Sequence, residues 1–168
     1  MRECGECTAC CEGWLMDEDL DMYAGKACAH CQSEGCAIYE TRPEDPCRTF
    51  KCAWLQDEEA FPEEMRPDQC GAIVLSARYW REWNVMRAMP VGPTIPDATL
   101  GWLRLHTKSE EMPLIFYERG FVDGVYTHTD RQRAYGSPEF AEAINESVLR
   151  LGDTKETLFS DDDVLRFG

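Results

Sequence analysis

Short apolar runs and alternating apolar and polar residues are concentrated in the second half of the chain. Residues 72–79 begin with four apolar residues, and residues 82–89 alternate in part, so both segments predict β-strands. The short connection between them predicts a hairpin. Residues 114–118 and 121–126 repeat this pattern around a glycine and predict a second strand pair.

A helical pattern follows each predicted strand pair. Residues 97–109 predict one helix, and residues 138–151 predict another, with apolar positions three or four residues apart. Ser137, Pro138 and Glu139 are typical of a helix start, because the hydroxyl caps free N–H groups and proline fits the first helical position. We expect this half of the chain to build its core from Ile73, Leu75, Trp83, Val85, Leu103, Ile115, Phe140, Ile144 and Val148.

The charge balance narrows the classes of partner. The chain has 168 residues, a net charge of −15, and 32 acidic against 17 basic residues. Nucleic-acid binding needs clustered Lys and Arg, so we expect no nucleic-acid partner. No apolar run is long enough to span a bilayer, and the first residues lack the apolar core of a secretion signal, so we expect no membrane partner and a cytoplasmic location.

All ten cysteines lie in the first seventy residues. Four of them fall within residues 4–11, as C-x2-C-x2-C-C, and Cys28 to Cys31 forms a further C-x2-C hook. Such hooks suit tetrahedral coordination of a metal by thiolates, and a reducing compartment disfavours structural disulfides. Adjacent residues such as Cys10 and Cys11 do not easily aim both side chains at one ion, so we expect them to serve different ions or one multinuclear cluster.

Three phrases carry a resemblance to a known family. They are the opening C-x2-C-x2-C-C, the phrase C-A-I-Y-E-T-R-P from Cys36, and C-R-T-F from Cys47. With Cys28, they resemble the YkgJ-like cysteine-cluster family of zinc- or iron-chelating proteins over about residues 4 to 54. The resemblance implies eight metal ligands at Cys4, Cys7, Cys10, Cys11, Cys28, Cys36, Cys47 and Cys52. Cys31 and Cys70 stand outside this set, and the roles of these two cysteines and of His30 stay open.

The surroundings of these cysteines have expected roles as well. Arg42 and Arg48 are expected to offset thiolate charge, and Phe50 and Trp54, which flank Cys52, to shield the site from water. Residues 12–26 mix apolar and acidic side chains, which predicts a loop or short helix covering the site.

The predicted fold class is α+β, with an irregular cysteine-rich, metal-held N-terminal module joined to a small antiparallel sheet with two helices. The module is expected over residues 1–56, and an acidic, proline-containing linker or wrap over residues 57–70. Residues 71–168 would then form the small α+β region. Its last seventeen residues are expected to be an acidic surface tail with Leu158 and Phe159 docked.

The leading functional hypothesis is a metal-binding protein with all-cysteine zinc sites, which serve mainly a structural or interaction role toward a protein partner. One alternative is an iron–sulfur cluster that transfers electrons or supports an enzyme, and another is a metal carrier. No catalytic constellation is present, so the sequence favours a protein without enzymatic activity. It gives no indication of an oligomeric state.

Overall fold

The computed structural model describes residues 2–23, 25–123, 125–151 and 164–166, without the side chains of 77, 121, 125–131, 147–151 and 164–166. The N-terminal elements are β1 (Cys31–Gln32), β2 (Gly35–Cys36), a 3-10 turn at Tyr39–Thr41, α1 (Ala53–Gln56), a second 3-10 turn at Glu63–Met65 and α2 (Pro67–Cys70). The C-terminal elements are β3 (Ala72–Trp80), β4 (Trp83–Pro90), α3 (Asp97–Ser109), β5 (Leu114–Val122), β6 (Val125–Gly136), α4 (Pro138–Leu151) and β7 (Val164–Arg166). The fold is therefore α+β.

The main sheet has the strand order β3-β4-β5-β6-β7, and it is mixed rather than antiparallel. The two predicted hairpins, β3-β4 and β5-β6, are antiparallel, but β4 pairs with β5, and β6 with β7, in parallel. The prediction of an antiparallel sheet was wrong because each helix carries the chain back across the sheet before the next strand begins. Such a crossover returns the chain in the same direction, so the neighbouring strands run parallel.

The two faces of this sheet contribute to two separate cores. On β4, Val85 belongs to one buried cluster and its neighbour Met86 to the other. On β5, Ile115 shares the first cluster, whereas Leu114 shares the second. Successive side chains of a strand point to opposite faces, so the two clusters lie on opposite sides of the sheet.

The first cluster joins the sheet to α4 through Phe140 and Ile144, both fully buried. The start of α4 is capped as predicted, because the backbone N–H of Phe140 donates to Ser137 Oγ at 3.3 Å. Leu103 of α3 lies in the other cluster. Of the expected core residues, six are buried, Leu75 and Trp83 are partly buried, and the side chain of Val148 is outside the described set.

Residues 57–70 wrap against the core rather than cross solvent as a linker. Phe61 is 2% exposed and Met65 is 5% exposed, and both share a buried cluster with Ile73 of the sheet. Arg2 fixes the same wrap, because its guanidinium donates to the carbonyl O of Phe61 at 2.5 Å. The cysteine-rich region and the sheet therefore share one core, and the division into domains stays a prediction.

The predicted C-terminal tail contains the short strand β7 at the edge of the sheet, next to β6. The expected docking of Leu158 and Phe159 lies outside the described residues. None of the helices in the described ranges combines the length and the apolar composition needed to cross a bilayer.

Candidate metal centre

Tight turns shape the first cysteine cluster. The backbone N–H of Cys7 donates to the carbonyl O of Cys4 at 2.9 Å, and Cys11 N–H donates to Thr8 O at 2.7 Å. Gly5 has a φ of 56°, in the left-handed region that suits glycine in such a turn. These hydrogen bonds fold the four cysteines into successive turns rather than an extended segment.

The second cysteine hook is tied directly to the first cluster. Cys28 N–H donates to Cys11 O at 3.0 Å, and Cys31 N–H donates to Cys28 O at 3.0 Å. The hairpin β1-β2 then places Cys31 opposite Cys36. Gly35 in this hairpin packs so closely on the first cluster that an added Cβ would lie 3.2 Å from Gly5 O. Backbone contacts therefore hold the two cysteine segments together.

Arginine contacts hold the third cysteine segment, the loop from Cys36 to Cys47. The Arg42 guanidinium stacks 3.6 Å from the centre of the Tyr39 ring and donates to Tyr39 O. Arg48 donates to Arg42 O at 3.1 Å and to Glu40 O at 2.7 Å. Arg48 therefore braces the loop between Cys36 and Cys47 through backbone carbonyls.

One cavity of about 60 Å³ collects the cysteines of all these segments. All eight predicted ligands line it, together with Cys31 and His30. Apolar side chains complete the wall: Leu15, Leu20, Met22, Ile38, Phe50, Trp54, Leu55 and Pro67. Phe50 and Trp54 thus lie where shielding side chains were expected. Leu15, Leu20 and Met22 add the predicted cover, and they come from turns in the described residues of the range 12–26.

The electrostatic neighbours of Cys10 and of Cys11 differ, although the two neighbourhoods overlap: Cys11 also acts on Cys10, and Cys36 acts on Cys4. Burial raises the pKa of Cys10 well above its ordinary value, and the sulfurs nearest it electrostatically are Cys52, Cys7, Cys11 and Cys4, in that order. Burial also raises the pKa of Cys11 to about 12, but its neighbours are Cys31, Cys47, Cys28 and Cys36. Set A is defined as Cys4, Cys7, Cys10 and Cys52, and set B as Cys11, Cys28, Cys36 and Cys47.

Positive charge only partly offsets the burial of these sulfurs. Burial raises the pKa of Cys4, and the nearby Arg42 guanidinium lowers it by a smaller amount. Burial likewise raises the pKa of Cys7 to about 11. The protonated thiol is therefore the stable form of Cys4, Cys7, Cys10 and Cys11 at neutral pH in the absence of a cation. A bound metal ion supplies the positive charge that makes thiolates stable in such a site.

The thiols of the cavity are suitable metal ligands, although their sulfurs do not meet at one point in this conformation. Two buried donors of the cavity wall, Tyr39 Oη and Trp54 Nε1, have no hydrogen-bond partner in the described part of the chain. Thiolate sulfurs would provide acceptors for such donors. In this conformation, however, no three Cys, His, Asp or Glu side chains among the described residues form a group that could hold a metal ion.

Two cysteines fall outside the two sets, and their surroundings differ. Cys70 is 5% exposed and does not line the cavity. Its Sγ donates to Ala72 O at 3.3 Å and to Met65 O at 3.5 Å, so Cys70 is a residue of the core. Cys31 lines the cavity beside set B. Burial raises its pKa, and a hydrogen bond with the Thr8 hydroxyl works in the opposite direction.

No sequence pattern indicated the residue that ties to the sheet the segment between Cys11 and Leu15, two residues of the cavity wall. Arg119 on β5 is 6% exposed and donates to Gly13 O at 2.9 Å and to Val91 O at 3.1 Å. Its guanidinium lies 4.4 Å from the centre of the Trp14 ring, and Trp14 Nε1 donates to Pro90 O at 2.8 Å. The sequence carries no signal for this role, because Arg119 falls in the predicted turn between residues 114–118 and 121–126.

No family model, curated protein or solved structure matches this chain. The resemblance to the YkgJ-like family therefore rests on the quoted cysteine phrases alone and stays a prediction.

Proposed function

We propose that this chain is a metal-binding protein in which set A and set B each hold one zinc ion, and in which the metals serve mainly a structural role. The observation that carries the proposal is the gathering of eight cysteines, distant in sequence, around one cavity. Their number supports it further, because eight cysteines suffice for two closed structural zinc sites of four ligands each.

The region around the cavity contains little regular secondary structure, which supports a structural role for the metals. Between residues 2 and 52, the described elements are two strands of two residues each and one 3-10 turn. Such a region gains little stability from secondary structure, and metal coordination would supply folding free energy instead. The family resemblance implies the same eight ligands. A region held in this way would offer a defined surface to a protein partner.

The protein's own residues would prepare the site for metal in two ways. Each cysteine turns about one side-chain torsion, so each sulfur would have a choice of rotamers in adjusting to a bound metal. Because burial favours the protonated thiols, binding would release protons to solvent. Arg42 would offset part of the remaining negative charge near Cys4.

An iron–sulfur cluster is a second candidate, and one observation favours it. Both sets line a single cavity with a largely apolar wall, which also suits one multinuclear cluster shielded from water. In that case the adjacent Cys10 and Cys11 would bind the same cluster. A metal carrier is a third candidate. It is favoured by Cys31, the ninth thiol of the cavity, because an additional thiol could receive a metal during exchange.

Metal analysis of protein prepared without oxygen, joined to a visible absorption spectrum, tests these candidates. The proposal predicts two zinc ions per chain and a colourless protein. A coloured protein with stoichiometric iron would establish the second candidate instead. Protein that retains no metal under reducing conditions would refute metal binding.

A further inference from the structure

Cys31 is one thiol more than two four-cysteine sites require. It lines the same cavity as the two sets, and it is paired with Cys36 across the hairpin β1-β2. Set B already has four sulfurs without it, and a tetrahedral zinc site takes four. The position of Cys31 therefore needs an explanation other than simple coordination.

The hairpin places Cys31 and Cys36 in a particular relation. The two residues are paired across antiparallel strands, and the flanking hydrogen bond runs from Ala37 N–H to His30 O at 2.9 Å. Cys31 N–H donates to Cys28 O and not to its cross-strand partner. This pattern identifies a non-hydrogen-bonded pair, whose Cα atoms are typically about 4.5 Å apart and whose side chains lie on the same face.

That spacing permits a disulfide but does not favour a permanent one. Disulfides form at Cα separations of roughly 4.4 to 6.8 Å, so a pair of this type lies at the short end of the range. Bonds away from the preferred geometry are strained and are more readily reduced. A bond between Cys31 and Cys36 would therefore be reversible rather than structural.

We propose that Cys31 and Cys36 are a redox pair, in which a hydroperoxide drives formation of a cross-strand disulfide that removes Cys36 from set B. The metal consequence rests on the proposed zinc sites, whereas the disulfide itself does not. Set A contains neither cysteine and keeps its four sulfurs.

The reaction balances with hydrogen peroxide as the oxidant. One cysteine of the pair loses its proton and attacks one peroxide oxygen, the O–O bond breaks, and the products are a sulfenic acid on that cysteine and water. The thiolate of the other cysteine then attacks the sulfenic sulfur, so that the S–S bond forms and hydroxide leaves and takes a proton. Two thiols lose two electrons, and the peroxide gains them. A low-molecular-weight thiol in excess reverses the change by thiol–disulfide exchange.

Peptide mapping of the full chain tests the pair. Reduced protein loaded with Zn²⁺ is treated with one equivalent of hydrogen peroxide, its free thiols are alkylated, and it is digested after Lys, Arg and Glu. Cleavage after Lys26, Glu34 and Glu40 separates peptide 27–34 from peptide 35–40. We expect these two peptides to be joined by a disulfide. Fragmentation between Cys28 and Cys31 identifies the linked residue.

Zinc release measured with a metal indicator in the same reaction supplies the second readout. Oxidation is expected to release about half of the bound zinc, which is the ion of set B. In Cys31→Ser this release should be roughly tenfold slower, because Cys36 no longer has a sulfur with which to form the disulfide. Cys70→Ala is the matched control, because Cys70 lies outside the cavity, and it should behave like the unchanged chain. Excess thiol should restore binding.

Two results would overturn the redox pair. One is the absence of a link between peptides 27–34 and 35–40, and the other is zinc release from Cys31→Ser at the unchanged rate. Failure of the zinc sites would look different. A chain that binds no Zn²⁺ but forms the Cys31–Cys36 bond would refute the proposed function and leave the redox pair intact.

Discussion

Replacement of Arg119 by methionine should detach the wall of the cysteine cavity from the sheet. Arg119 is the described residue that joins β5 to Gly13, two positions after Cys11, and it also covers the Trp14 ring. Methionine keeps much of the apolar stem but removes the guanidinium. The carbonyl oxygens of Gly13 and Val91 would then lose a charged donor in a buried setting.

The contacts give the size of the expected loss. Each hydrogen bond to a charged group contributes about 1.5 to 3 kcal/mol, and a cation–π contact about 0.5 to 2 kcal/mol. Removing a buried guanidinium also removes its desolvation cost, which offsets part of this sum. We therefore expect Arg119→Met to lower the free energy of unfolding by about 2 to 4 kcal/mol.

Urea unfolding at a fixed metal concentration measures this loss. Arg78→Met is the matched control, because Arg78 is exposed on β3, and surface changes of this kind alter stability by about 0.5 kcal/mol or less. Hydrogen exchange should also rise in residues 10–16 of Arg119→Met and not of the control. Equal stability of the two variants would refute the conclusion that Arg119 anchors the cavity wall.

Three further predictions concern the metal. Cys10→Ser and Cys11→Ser should each lose one zinc ion, but from different sets, so the double variant should bind no zinc. A double variant that still binds one zinc ion would contradict the two-set assignment. Chelation under reducing conditions should increase hydrogen exchange across residues 4–54 before residues 71–151, and unchanged protection of the first range would mean that packing alone holds it. The zinc-loaded protein should lose metal as pH falls, because protons compete for the sulfurs, whereas the metal-free protein should lose stability as pH rises. Burial raises the pKa of Cys7 from 9.0 to about 11 and that of Cys11 from 9.0 to about 12. The metal-free protein should therefore lose stability between pH 9.0 and about 12. A urea midpoint that does not change over this pH range would contradict the prediction.

Local sequence signals predicted the elements of the second half well. The Ser137 cap and the apolar spacing of Phe140 and Ile144 depend on neighbouring residues, and both predict α4 directly. The parallel pairing of β4 with β5 depends instead on where the chain returns after α3, which no local pattern records. The short strand β7 was missed for the same reason, because its pairing with β6 follows the crossover through α4.

Composition alone left two interpretations open for residues 57–70, because acidic residues and prolines suit a linker as well as a wrap. Phe61 and Met65 are buried, four residues apart, in the core shared with the sheet, which is what a wrap requires. That spacing was the available signal. The family resemblance, by contrast, implied eight of the nine cysteines that line the cavity, whereas the approach of Cys52 to Cys10 depends on the fold.

X-ray absorption spectroscopy of the purified protein tests the central claim most directly, because it reports the metal and its ligands together. The two-set arrangement predicts zinc surrounded by four sulfur atoms at about 2.3 Å, with no nitrogen or oxygen in the first shell. A first shell containing nitrogen or oxygen, or an iron signal in place of zinc, would contradict all-cysteine zinc sites in this chain.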